Sequence, residues 1–181
     1  MSQVLSAAWP APTTRFTAAY QAIANALLAN TTFIGLVKLA NLNVWCDGKQ
    51  QQLLTGVQTG NLPEVTLIQT HHLLHPWGST SKEACATRNY GLVAITDTMQ
   101  IDAINAIEDA VMGAMYYGNL ERTALFGGVN YIKNVMITGG GDGSNGIQLP
   151  TLPDATRGVN RQGALINIQL ELYWPRTSLP T

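Results

Sequence analysis

The sequence predicts an α+β chain: a mixed, mostly antiparallel sheet with two main helices packed on one of its faces. Three observations predict it. Apolar residues recur at three- and four-residue steps in two separate stretches, Phe16, Ala19, Tyr20, Ile23 and Leu27, and then Ile101, Ile104, Ile107, Val111 and Met115. That is the period of a helix burying one stripe. Ala164, Ile166, Ile168, Leu170, Leu172 and Trp174 fall on every second position, with Asn167, Gln169 and Glu171 between them, the period of a strand with one covered face. The elements then come in the order helix, strands, long hairpin, helix, two strands, which places the helices together on the apolar face of one sheet.

Residues 1–12 read as an extended arm, because Trp9-Pro10-Ala11-Pro12 cannot lie inside a helix. Thr13 or Thr14 caps the first helix, which runs to about residue 29, where Asn30 suits its C-terminal end. Thr31 or Thr32 starts a short second turn over residues 33–38. Residues 41–46 alternate loosely and end in Asp47-Gly48, a hairpin signal, with a weaker return strand over 51–54. Leu62-Pro63 opens a strand over 64–74, broken by Pro76-Trp77-Gly78, and residues 82–96 form its partner. The outer part of this long hairpin, 71–88, is polar on both faces, so an arm over 69–90 is expected to project.

Asp97 or Thr98 caps the second main helix, which carries Glu108 and Asp109 on its solvent side and ends near Gly118. Residues 131–138 read as a strand. The glycine-rich run 139–146 opens a long loop that reaches Arg161. In the last strand Ala164, Ile166, Ile168, Leu170, Leu172 and Trp174 share one face, and Asn167, Gln169 and Glu171 share the other, until Pro175 stops it. No repeat or composition break divides the chain, so one domain over 1–181 is expected, with the arm 1–12, the projecting hairpin 69–90 and the long loop 139–161 as excursions.

Charge is scarce. Only 12% of residues are charged, about half the usual share, whereas the 46% hydrophobic content is ordinary. Thr, Asn, Gln, Ser and Gly fill the deficit. Charge is what usually keeps surfaces apart, so a membrane or other protein should cover much of this one. The charge-free stretch 16–37 is long enough to span a bilayer, but Gln21, Asn25, Asn30, Thr31 and Thr32 interrupt it. Residues 1–12 contain neither the basic residue nor the apolar run of a secretory signal. No membrane is expected, which leaves protein partners. The net charge of -1, with scattered cations and no aromatic interleaving, makes no nucleic-acid footprint. Cys46 and Cys85 are the two cysteines; the rarity of intracellular disulfides favours two thiols over a bridge, and the pairing stays open.

Catalytic and cofactor chemistry finds little support. His71, His72 and His75 are the only histidines of the chain. On a strand His71 and His72 point to opposite faces, with no Glu or Cys at a helpful local offset. A polar tip meeting a partner is therefore preferred to a metal site, and a metal- or thiol-dependent enzyme using these histidines with Cys85 is the alternative. The run 139–146 lacks the Lys-Ser or Lys-Thr of a phosphate loop and no helix follows it. Its carboxylates are too few for calcium. A small-ligand module of α+β type lacks a convergent polar set. No catalytic residue, metal or cofactor is expected. The interface candidates are Trp9 and Trp77 on irregular segments beside prolines, His71, His72, His75 and Arg88 on the hairpin, Arg157 and Arg161 on the long loop, and Asn167, Gln169 and Glu171 on the polar face of the last strand. Either tryptophan could equally fold back over the core.

The order of elements is similar to a known family. A short N-terminal helix, the strand entry Leu62-Pro63-Glu64-Val65, a long hairpin, an Asp-capped helix with spaced Ile and Val, and a closing strand Gly-Ala-Leu-Ile-Asn-Ile-Gln-Leu-Glu-Leu-Tyr-Trp come in turn. Over roughly residues 14–174 this resembles the tail terminator (tail completion) proteins of tailed bacteriophages. The resemblance implies a hexameric ring on the end of the tail tube that stops tube growth and offers a docking face to the head-side connector. It implies location in the virion after assembly in the host cytoplasm. Partners would be the chain itself, the tube protein and the connector, with DNA passing through unread. Another neck component of the same particle is the near alternative. The family has no catalytic motif to carry over. Relative to compact members the additions fall at 1–12, 71–88 and 139–161. Subunit contacts are expected to be rich in Thr, Asn and Gln, on the hairpin 69–90 and on the Asn167, Gln169, Glu171 face.

Overall fold

The computed structural model describes residues 12, 14–37, 42–43, 63–71, 83–96, 101–116, 120, 131–138, 153–154, 159–160 and 162–175. Thr14 opens the first helix, α1 (Arg15–Ala29), and its Oγ1 accepts the main-chain N–H of Thr17 at 3.1 Å. Ala18, Ala19, Ile23, Ala24 and Leu27 form the buried stripe of α1. Asn30 serves two helices. Its own N–H reaches back to the Leu27 carbonyl at 3.2 Å, and its Oδ1 accepts the N–H of Phe33 at 2.8 Å. The residue that closes α1 thus caps α2 (Thr31–Val37), which starts at Thr31. Phe33 and Val37 are the buried residues of α2.

The main sheet has five strands in the order β1-β2-β3-β7-β4. They are β1 (Leu42–Asn43), β2 (Glu64–His71), β3 (Glu83–Thr96), β4 (Tyr131–Thr138) and β7 (Gln162–Pro175). Every pairing in it is antiparallel except that of β1 with β2. The third helix, α3 (Ile101–Tyr116), stands between β3 and β4 in the chain. A separate ribbon pairs β5 (Pro153–Asp154) with β6 (Val159–Asn160). The architecture is α+β, and the helices share one hydrophobic core with one face of the sheet.

That core follows from the two periods. Ile104, Ile107, Ala110, Val111, Ala114 and Met115 come from α3, and Ile166, Ile168, Leu170 and Leu172 from β7. Register aligns the rows: Tyr90, Ile168 and Ile137 lie abreast on β3, β7 and β4, as do Arg88, Leu170 and Val135, and Ala86, Leu172 and Ile132. A bulge at Lys133 restores the alternation, because Ile132 and Val135, an odd number of residues apart, both face the helices.

Two expectations meet a different chain path. Residues 83–90, assigned to a projecting arm, belong to the central strand β3, which pairs with β7 from Glu83 opposite Pro175 to Thr96 opposite Gln162. The physical reason is the length of β7: at 14 residues it matches β3 from end to end, so the polar half of β3 has a ladder to join. The long loop 139–161 also contains the small β5–β6 ribbon. Residues 72–82, the hairpin expected over 41–54 beyond Asn43, the arm 1–11 and the glycine-rich run 139–146 lie outside the described residues.

Candidate assembly surface

The side of the sheet turned away from the helices divides in two. Toward one end Thr66, Val93 and Leu165 lie abreast, with Glu64 and Ile95 beside them, and all five are buried. Toward the other end the rows are neutral and polar. Asn89, Gln169 and Met136 form one row, and Thr87, Glu171 and Asn134 the next, with Asn167 following on β7. Of these only Glu171 carries a charge. Thr87, Asn89, Asn134, Asn167, Gln169 and Glu171 are half-buried, and Met136 is 38% exposed. The Oδ1 of Asn89 is buried and has no hydrogen-bond partner among the described residues. A buried polar atom without a partner is uncommon, and this one lies beside Gln169 in the register.

The interface candidates therefore scatter. Asn167, Gln169 and Glu171 come together on the polar face, as the alternation in β7 required. Asn89, Asn134 and Met136 join them through register, which no local pattern in the sequence encodes. His71 ends β2 opposite Asn89, beyond a bulge. Trp9, His72, His75, Trp77, Arg157 and Arg161 lie outside the described residues, as does Cys46; Cys85 is buried in β3 opposite Tyr173.

Arg88 sits on the other side of the sheet. It is 7% exposed and faces the helices, its guanidinium 3.6 Å from the centre of the Phe16 ring. Placement over an aromatic face offsets part of the cost of burying a cation. Burial pulls the Arg88 pKa down while neighbouring Tyr90 acts the other way; arginine stays a cation throughout. The Tyr90 phenol is held well above its ordinary range, first by burial. Its hydroxyl donates to the Phe16 carbonyl at 3.3 Å, and Tyr20 donates to the Leu67 carbonyl at 3.0 Å. The two rings meet at 6.2 Å in a tilted pair. This Phe16–Tyr20–Arg88–Tyr90 group fastens α1 to β2 and β3, so Arg88 serves the core rather than the surface.

No described helix is long and apolar enough to cross a membrane. Among the described residues no group of three His, Cys, Asp or Glu side chains could hold a metal ion.

No protein-family model matches the sequence, and neither does any curated protein. The fold does have a counterpart among solved structures. A chain from the virion of a native gene transfer agent particle superposes with a TM-score of 0.52 at 16% identity, covering 88% of this chain and 99% of that one. At this identity the likeness defines a shared fold.

Proposed function

We propose that this chain is a structural, non-enzymatic subunit of a phage-like virion. In this reading it forms a ring at the end of the tail, terminates the tube and docks the tail to the head-side connector. The observation that carries the proposal is the fold likeness to a virion chain, which spans 88% of this protein and nearly the whole of its counterpart. The order of elements that resembles tail terminators points the same way. The surface supports it too. A ring subunit covers two sides and, once built in, a top and a bottom, and each such interface hides about 800 Å² per partner. So much covered area accommodates a chain with 12% charge.

Within the ring, the Asn167, Gln169 and Glu171 face is a subunit contact. Its amides donate and accept without needing an opposite charge, and a neighbour's donor brought to this face would meet the unpaired Asn89 acceptor. Ring closure needs two different patches on each protomer, since a self-complementary patch gives only pairs. The partners are further copies of the chain, the tube protein and the connector. DNA passes through the ring without being read.

Size-exclusion chromatography with multi-angle light scattering tests the reading on purified protein. A ring of six predicts a particle six times the 19.5 kDa protomer mass. A protomer that stays single at high micromolar concentration overturns it. Adding the protein to growing tail tubes then separates a terminator, which fixes tube length, from a connector-side neck component, which does not.

A further inference from the structure

Edge strands carry unpaired N–H and C=O groups that template pairing with another chain. Among the described residues β4 is an edge of the main sheet, beyond β7. Its one charge, Lys133, is exposed at the bulge between Ile132 and Asn134. From there the register with β7 runs unbroken over 134–138, a stretch with no charge and no proline. Here the end of α3 supplies the cover. The Tyr116 hydroxyl accepts the main-chain N–H of Ile137 and lies 3.5 Å from the carbonyl of the same residue. A main-chain N–H has one hydrogen to give, so Ile137 spends its donor on the helix and not on β7. In an antiparallel ladder such a residue turns both groups to the open edge. The Tyr116 ring is 44% exposed, and Met112, one helical turn earlier, is 39% exposed. With Met136 they are the exposed large hydrophobics among the described residues, all on α3 or β4.

We propose that Tyr116 is a removable guard on the edge of β4 that the described strands leave open, and that it holds off strand pairing by a second copy of this chain. A second copy is the relevant competitor because identical protomers present the same uncharged edge to one another, and a chain with 12% charge offers little mutual repulsion. Edge-to-edge pairing of β4 with itself is self-complementary and ends in dimers, which compete with any closed ring. The inference concerns the single protomer and does not rest on the ring reading.

The test is Tyr116→Phe in the full chain, which keeps the ring and removes the hydroxyl. Sedimentation velocity over a dilution series reads the dimer, and amide hydrogen exchange reads Ile137. One lost hydrogen bond predicts an apparent dimer dissociation constant lowered about five-fold and Ile137 exchange accelerated about five-fold. Adding Met136→Lys to this variant puts a charge on the same edge and should remove the added dimer; because Met136 also borders the polar face, only the dimer is read from this variant. Unchanged association, unchanged Ile137 exchange, or dimers that survive Met136→Lys would each overturn the guard. If the wild-type protein is a stable monomer the ring reading fails, and the guard is still decided by the variant; if the wild-type ring forms and the variant makes no dimers, the guard fails alone.

Discussion

Leu170 and Glu171 are neighbours in one strand and live in different solvents. Leu170 is fully buried against the helices, whereas Glu171 is half-buried on the polar side with Thr87 and Asn134 abreast. The contrast runs along much of β3 and β7. One face holds the fold together through apolar burial, at roughly 25 cal/mol per Å². The other is buried and partly apolar at its Val93 and Leu165 end, but its polar end has almost no charge and little apolar area, so that end contributes little to folding while offering amides to a partner. Residues on the first face should therefore govern stability, and residues on the second should govern association.

The largest expected effect lies on the core side. Leu170→Ala should cost about 2–5 kcal/mol of folding stability, read as a shift in the urea midpoint, because it leaves a cavity between α3 and the sheet. A cost below about 1 kcal/mol would break the contrast. Arg88 sharpens it, being a charged residue on the apolar face. Arg88→Ala should cost about 1–3 kcal/mol through the lost Phe16 contact and the lost packing of its stem, and leave assembly of the remaining folded protein intact. Asn30→Ala removes the α2 cap and should cost about 1 kcal/mol in the same measurement.

The smallest effect is electrostatic. Burial, and then the charge of Asp109, raise the Glu108 pKa. A carboxyl with a raised folded pKa binds its proton more tightly when folded, so its contribution is present at acid pH and lost as pH rises through the folded value. Glu108→Gln should thus raise stability at neutral pH by a few tenths of a kcal/mol, given its exposure, and the gain should vanish below the ordinary carboxylate range. Melting curves across that window read it.

The parts of the fold written in period and punctuation were legible. The Phe16 to Leu27 stripe, the alternation over 166–172 and the Thr14 cap each depend on residues close in sequence, and each reappears in the structure. What escaped depends on residues far apart. Arg88 reads as surface by type, and only the approach of Phe16, a long way back in the chain, makes it a core residue. The polar half of β3 looked like an arm because nothing local discloses that β7 is equally long. Asn30 reads in sequence as a helix end, since its second role needs the geometry of α2. The polar surface was half legible: alternation exposed Asn167, Gln169 and Glu171, but Asn89, Asn134 and Met136 join them only through strand register.

In the proposed ring the polar face of the sheet joins protomers while the apolar face builds each one. Asn167→Glu with Gln169→Glu tests it most directly, by making a stripe of three carboxylates with Glu171 that is costly to cover. Light scattering on wild type and variant, with melting curves for both, is the measurement. Wild-type particles are expected at six times 19.5 kDa, and variant protomers at 19.5 kDa with stability within about 1 kcal/mol of wild type. A variant that assembles as the wild type does, or that unfolds instead of dissociating, would contradict it.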